Sequence, residues 1–231
     1  MFSFRKFVDS RKKTKGVWRA IRQLAIEVVI FWVHCRGVWR ARRYRGQRKL
    51  RVHLGCGLNQ HPGWVNVDLF CSKRADLRLD LRQPLPLEDG SAALIYSEHF
   101  MEHLGYPEET MGLLASCFRV LEPGGCVSIG VPDTEACLKA YVEGDAEKFR
   151  INGEKWCPKW CETPMDQVNY HFRQINEHQY AYDFETLAGA LRRAGFVDVV
   201  RRQWDPELDS PGWKGSDTLY VKATKPGLKA A

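Results

Sequence analysis

The sequence predicts an α/β fold: a doubly wound, mostly parallel sheet preceded by a basic amphipathic helix. Three observations carry this expectation. Short apolar runs alternate with helical patterns from residue 52 onward, as parallel strands alternate with their crossover helices. The first run, Val52-His53-Leu54, ends in Gly55-Cys56-Gly57, where backbone must turn sharply and approach a ligand closely. The first 51 residues, finally, have a composition unlike the rest.

Taken in order, residues 17–39 contain no proline and a single glycine, Gly37. Trp18, Ile21, Ala25, Val28, Trp32, Cys35 and Trp39 recur at spacings of three and four, with Val17, Leu24, Phe31 and Val38 in an adjacent row. That is a helix with a broad apolar stripe. Strands are expected over 52–54 and 64–68, the latter ending in Asp68, and a third segment ends at Asp80. A strand over 92–96 leads into a helix from about Glu98 and a second helix over 108–121. Glu122-Pro123-Gly124-Gly125 turns the chain into a strand over 126–131. A helix over 184–194 is stopped by Gly195, followed by strands over 196–201 and 218–223. The expected organisation is an arm (1–49), one domain (50–224) with a lid over the strand ends (141–183), and a tail (225–231).

The 231 residues, 44% of them hydrophobic, suffice for one real core and exclude collagen, low-complexity disorder and a multi-span membrane protein. Eight cysteines are too sparse for a disulfide scaffold and read as reduced cytosolic thiols. Residues 1–51 hold 16 Lys/Arg against Asp9 and Glu27, whereas the remainder holds 19 bases against 26 acids. A mildly acidic body therefore carries a very basic arm, aimed at something anionic. The arm's apolar stretch, 24–35, would span only ~18 Å against a hydrocarbon core of roughly 30 Å. A secretory signal does not fit either, because the charged leader is long and no small-residue cleavage site follows. Three readings of the arm stay open: a helix lying in a membrane interface, a helix packed on its own domain or a partner protein, and a nucleic-acid arm. The apolar stripe has no role on a phosphate backbone, which counts against the third.

Ligands of such sheets bind at the carboxyl ends of the strands, where the Gly55–Gly57 turn sits. Asn59 and Gln60 follow in place of a third glycine, which disfavours a pyrophosphate site. Asp68 is placed either to accept hydrogen bonds from a ribose diol or as an ordinary strand-ending residue. His99, Glu102 and His103, at i, i+3 and i+4, share one helical face. A histidine there can remove a hydroxyl proton, the three can hold a divalent metal, or Glu102-His103 can simply pack the helix. The same residues fit H-x-x-E-H, an inverted zinc-peptidase signature, but here it follows a strand of a cofactor-binding sheet. Within the lid, His171, Arg173, His178 and Tyr182 are the candidate substrate contacts, Arg173 suiting a phosphate or carboxylate. The alternative is a surface subdomain whose histidines satisfy one another. Cys157 and Cys161 with His171 and His178 match no standard zinc spacing.

In combination these segments resemble the class I S-adenosylmethionine-dependent methyltransferases over about 50–224. Val52–Gly57 resembles the family's first motif, Val67-Asp68 its ribose-binding acid, Asp80-Leu81 its adenine-binding pair, and 119–125 its turn before the fifth strand. The last two strands match its closing antiparallel hairpin. The resemblance implies a seven-stranded Rossmann-like sheet with S-adenosylmethionine held by His53, Gly55, Cys56, Gly57, Asp68, Leu69, Asp80, Leu81 and Ser97. His53 stands where most members carry an acid at the methionine end, leaving backbone carbonyls to recognise the amino group. His99, Glu102 and His103 become the catalytic candidates, close to the arrangement of ubiquinone-biosynthesis O-methyltransferases, which carry a carboxylate at the position of His99. Residues 62–68, 97–104 and 171–183 further resemble a bacterial subgroup associated with surface-polysaccharide genes. The implied activity is O-methylation of a sugar, glycolipid or membrane-associated small molecule, by a cytoplasmic enzyme peripheral to the inner face of the membrane. The alternatives are an RNA methyltransferase using the basic arm and a non-catalytic cofactor-binding scaffold. Against the first of these, the fourth-strand end lacks the Asn/Asp-Pro-Pro-aromatic run of amino-methylating enzymes.

Overall fold

A computed structural model describes residues 4–70, 75–215 and 217–227, with side chains from residue 16. A mixed six-stranded sheet of order β2-β1-β3-β4-β6-β5 organises the body. The strands are β1 (Leu50–Leu54), β2 (Val65–Val67), β3 (Ala92–Glu98), β4 (Leu121–Pro132), β5 (Val197–Arg202) and β6 (Thr218–Thr224). The first four pair in parallel, with Val52 opposite Val65 and Leu54 opposite Ser97, while β6 runs antiparallel to both β4 and β5. Val52, Leu54, Val67, Ile95, Ile129 and Val131 are buried, as strands covered on both faces require.

Six strands replace the expected seven. The segment ending at Asp80 contributes only one parallel bridge, Val67 to Leu77. Leu77, Leu79 and Leu81 are buried in the core, and a helix packs on the segment. That helix, α1 (Phe4–Ala41), approaches so closely at Gly37 that a Cβ there would lie 2.1 Å from the Arg78 carbonyl oxygen. Asp80 N–H donates to His34 Nδ1 (3.2 Å), and Arg82 bridges to Glu27 (2.8 Å).

Ile30, Gly37 and Ala41 are the buried residues of α1, with Glu27, Val33 and His34 half-buried beside them. The arm thus packs on its own domain, through a row displaced by about one residue from the apolar stripe of the sequence. The stripe itself stays exposed: Trp18 and Trp39 are 67% accessible and Trp32 64%. No described helix is long and apolar enough to cross a membrane.

Among the described residues, the expected helix from about Glu98 does not form, nor does the glycine turn open one. The glycine turn runs directly through Pro62 and Gly63 into β2, and Glu98 is the last residue of β3. His99 then adopts a left-handed conformation (φ 50°), and only a single 3₁₀ turn, Met101–His103, follows. The later helices form as expected: α2 (Glu108–Val120) and α6 (Phe184–Arg193), the latter capped by Asp183.

The lid resolves into α3 (Thr134–Glu143), α4 (Ala146–Lys155) and α5 (Pro164–Arg173) around a small cluster of Ala140, Phe149 and Val168. Local sequence fixes each start. The Asp133 and Asp145 side chains accept from the third residue of α3 and α4, and Thr163 with Asp166 forms a capping box before Pro164. Cys71 and the outer ends of the arm and tail lie outside the described residues; the other seven cysteines form no disulfide with one another.

Candidate active site

The glycine turn and Asp68 meet as expected. Gly55 has φ +66°, and a Cβ on it would lie 2.6 Å from the Phe100 ring, so only glycine fits. Cys56 N–H ties the turn to Val67 O (3.1 Å). The Asp68 carboxylate accepts from Gly57 N–H (3.0 Å) and from Phe70 N–H (2.8 Å), which fixes it beside the turn. Leu69 follows directly, its carbonyl accepting from Arg78 Nε (2.9 Å).

Asp80 goes elsewhere. Its carboxylate is gripped by Arg82 (2.9 and 3.1 Å from Nε), which also holds Glu27 of α1. Burial would raise its pKa, but the Arg82 hydrogen bonds outweigh that and hold it below the usual range. Leu81 is buried in the core. The expected adenine pair therefore lies against the arm and in the core.

His53 is buried and packed between the rings of His61 and Tyr96, each 4.9 Å away. Burial, reinforced by His61, pushes its pKa down to about 3, so the imidazole is neutral. Its Nδ1 and the Oγ of Ser97 are buried without a hydrogen-bond partner. The register sets His53 opposite Tyr96 and Leu54 opposite Ser97, so the two atoms lie on opposite faces of the sheet and each fits a separate polar group. Glu98, beside them, is also buried and accepts from Tyr220 OH (2.9 Å) and Ser210 N–H (3.2 Å).

The catalytic candidates divide because the expected helix is a bent turn. His99 N–H binds Gly130 O (2.9 Å), its Nε2 lies 3.0 Å from Thr218 Oγ1, and its Nδ1 lies 3.4 Å from Glu102 Oε1. Its ring stacks on Trp213 at 3.9 Å, and Trp213 on Trp156 at 4.9 Å. His103 turns the other way, packing at 5.0 Å against His178 and donating from Nδ1 to Glu177 O (3.1 Å).

The lid histidines join this cluster. His178 Nδ1 donates to His171 O (2.7 Å), and His171 Nε2 meets Thr134 Oγ1 (3.0 Å). Burial pushes the His171 pKa down to about 4 and lowers that of His178. His99, Glu102, His103, His171 and His178 line one cavity of about 290 Å³ together with Trp156 and Trp213. Two other lid candidates stay out of it. Tyr182 is buried against Thr110 (3.0 Å) and bridges to Asp133, while Arg173 is exposed on α5. Cys157 shares the cavity wall, its thiol pushed up to about 12 by burial, but Cys161 Sγ points at Asp166 O.

The sequence reading missed Trp156, Trp213, Thr218 and the His61–Tyr96 packing around His53. These come from distant segments with no shared spacing. The one local hint is Pro211-Gly212-Trp213, a large aromatic in a turn rather than in an element.

Residues 52–129 match a family model described as a methyltransferase domain. No curated protein matches the chain. Among solved structures, a SAM-dependent methyltransferase from Archaeoglobus fulgidus is 18% identical, with 81% of this chain and 92% of that one covered at TM-score 0.45. A Thermotoga maritima SAM-dependent methyltransferase, described as a possible histamine N-methyltransferase, is 15% identical over 96% and 97% at TM-score 0.45. The complex of a Haloferax volcanii Trm112 methyltransferase activator with a putative methyltransferase gives 15% identity, 91% and 96% coverage and TM-score 0.48. The matched segment spans β1, β2, β3 and most of β4, the strands whose ends carry the glycine turn, Asp68 and His99.

Proposed function

We propose that this enzyme O-methylates a sugar, glycolipid or other membrane-associated small molecule, working at the cytoplasmic face of a membrane. The observation that carries the reading is the stacked wall His99–Trp213–Trp156 in the cavity at the strand ends. A wall of flat rings suits the face of a sugar or similar ring, leaving its hydroxyls to the surrounding imidazoles. The resemblance to the surface-polysaccharide subgroup agrees with it.

The Gly55–Gly57 turn, Asp68, Ser97 and His53 would hold S-adenosylmethionine, which would supply the methyl group on its sulfonium. This chain's work is then alignment and one proton. Trp213 and Trp156 orient the acceptor ring. As the acceptor oxygen displaces the thioether from the methyl carbon, the C–O bond forming while the C–S bond breaks and S-adenosylhomocysteine leaves, His99 would take the hydroxyl proton and Glu102 at 3.4 Å would stabilise the resulting imidazolium. The lid's His171 and His178 close the cavity against water.

The arm supports the membrane side. Its exposed Trp18, Leu24, Trp32 and Trp39, with Arg and Lys on either side, have the chemistry of an interfacial helix on anionic headgroups. An RNA acceptor would leave these tryptophans without a role.

The test is to incubate the purified enzyme and methyl-labelled S-adenosylmethionine with fractionated cell extract, using His99→Ala as control. Label in the lipid or glycan fraction, lost in the variant, is expected. Label confined to RNA, or absent from every fraction while cofactor still binds, overturns the acceptor reading. Anchoring is read separately by sedimentation with anionic vesicles. Trp18→Gln with Leu24→Gln and Trp32→Gln should leave the protein in the supernatant, and undiminished pelleting would refute the interfacial helix.

A further inference from the structure

The expected metal candidates were His99, Glu102 and His103. The structure gathers a different set. Glu102, His103 and His178 each offer one ligand atom, and these atoms lie within 4.8 Å of one another. We infer that Glu102, His103 and His178 form a binding site for one divalent transition-metal ion, of the zinc or cobalt type.

Three independent features point there. Glu102 is only 2% accessible, and neither carboxylate oxygen has a hydrogen-bond partner. Its nearest cationic candidate, His99 Nδ1, is 3.4 Å away. A buried carboxylate without compensation is costly, and a cation removes that cost directly. Second, both histidines are oriented as ligands. A backbone carbonyl can only accept, so His103 Nδ1 bears its proton toward Glu177 O and His178 Nδ1 bears its proton toward His171 O. That leaves Nε2 of each ring as the nitrogen able to take a metal, with a carbonyl fixing ring and tautomer as in the outer shell of established metal sites. Third, the segments are tied together: the Glu102 carbonyl accepts from Gln179 N–H (2.7 Å) and Tyr180 N–H (3.2 Å), just after His178. The ligands thus come from two distant stretches braced on one another.

The donor chemistry sets the ion class. Two imidazoles and a carboxylate suit zinc, cobalt or iron rather than magnesium or calcium, which take oxygen-rich shells. Ligand atoms around a tetrahedral zinc sit about 3.4 Å apart, so the three need close by at most roughly 1.4 Å, within the reach of side-chain rotation. All three line the same cavity, so a fourth position would open toward the acceptor, as catalytic rather than structural sites do. Binding stands apart from the choice of acceptor. Its chemical consequence, acidifying an acceptor hydroxyl at that open position, rests on the O-methylation reading.

Cobalt(II) titration of the full chain, stripped with chelator, tests the site without any turnover. One equivalent should bind with the visible spectrum of a nitrogen–oxygen site and no thiolate charge-transfer band. Glu102→Gln and His178→Gln should each weaken binding at least tenfold, with the near-ultraviolet circular dichroism of the parent retained. The pair Cys157→Ser, Cys161→Ser should bind as the parent does. The site is overturned by no cobalt spectrum in the parent protein, by a thiolate band that the cysteine variant abolishes, or by equal affinity in folded Glu102→Gln. Should Glu102→Gln fail to fold, the parent spectrum and His178→Gln decide alone. Metal binding with label in RNA would keep this site and refute the acceptor reading; the reverse pattern would do the opposite.

Discussion

Replacing Gly55 by alanine should damage fold and cofactor site together, in two separable parts. At φ +66° an L-residue pays for a left-handed backbone, about 1–2 kcal/mol. The added Cβ also meets the Phe100 ring at 2.6 Å, and that ring is packed against the core, so overpacking adds about 1–3 kcal/mol. The sum, about 2–5 kcal/mol, is a large share of a domain's stability and corresponds to about 4–20 °C in Tm at this size. Because Phe100 follows His99, relief by moving the ring also displaces the stacked wall of the cavity. A double-mutant cycle with Phe100→Ala separates the parts. Where the ring is absent, Gly55→Ala should cost only the backbone part, giving a coupling of about 1–3 kcal/mol. Denaturant unfolding gives the stabilities, and calorimetric titration gives S-adenosylmethionine affinity, expected to fall in Gly55→Ala and recover partly in the double variant. Equal cost in both backgrounds, or a single-variant loss below about 0.5 kcal/mol, would refute the close approach.

Further tests address the rest of the frame. Gly37→Val places side chain against the Arg78 carbonyl, so the arm should lift from residues 77–82; trypsin should cut within 19–43 at least tenfold faster, and an unchanged rate would count against docking. Asp68→Ala removes the acceptor of Gly57 N–H and Phe70 N–H, so cofactor affinity should drop at least tenfold by titration. His171 has a folded pKa of about 4 against about 6.5 unfolded, so the unfolded chain takes up the proton first as pH falls. Stability is then fully present above pH 6.5 and is lost progressively toward pH 4, by roughly 3 kcal/mol. His171→Gln should flatten the unfolding profile over that range, and parallel profiles would contradict the burial.

Much of this was legible in the sequence because it is local. Alternating apolar runs fixed β1, β3 and β6 nearly to the residue, and Gly195 marked the stop of α6. The Gly57–Asp68 contact follows from two strand ends being neighbours in a parallel sheet. What failed was tertiary. Nothing between 69 and 80 reveals that α1 will cover that segment and leave a single bridge in place of a strand. The arm's stripe was real, yet the docking row lies beside it, because Gly37 permits an approach that no hydrophobicity pattern records. The i, i+3, i+4 spacing of His99, Glu102 and His103 promised one face of a helix. With His99 left-handed, that spacing places His103 against His178 instead.

The departures from regular alternation fall where the chemistry is. Helix propensity would have carried 98–104 on from the strand, and a left-handed His99 runs against it at a cost of about 1–3 kcal/mol. Compensation comes from long-range contacts: the Gly130 carbonyl on its N–H, the Trp213 face and the Thr218 hydroxyl. Gly130 sits on β4, Thr218 on β6 and Trp213 on the segment leading into β6, so the antiparallel end of the sheet holds the turn in place. The same turn frees Glu102 and His103 from a helix face and lets them meet His178 of the lid. A regular helix there would be more stable locally and would leave the lid histidines without partners from β3. Strain at one residue therefore joins two halves of the cavity, which is why local rules fail at this site and hold in the strands around it.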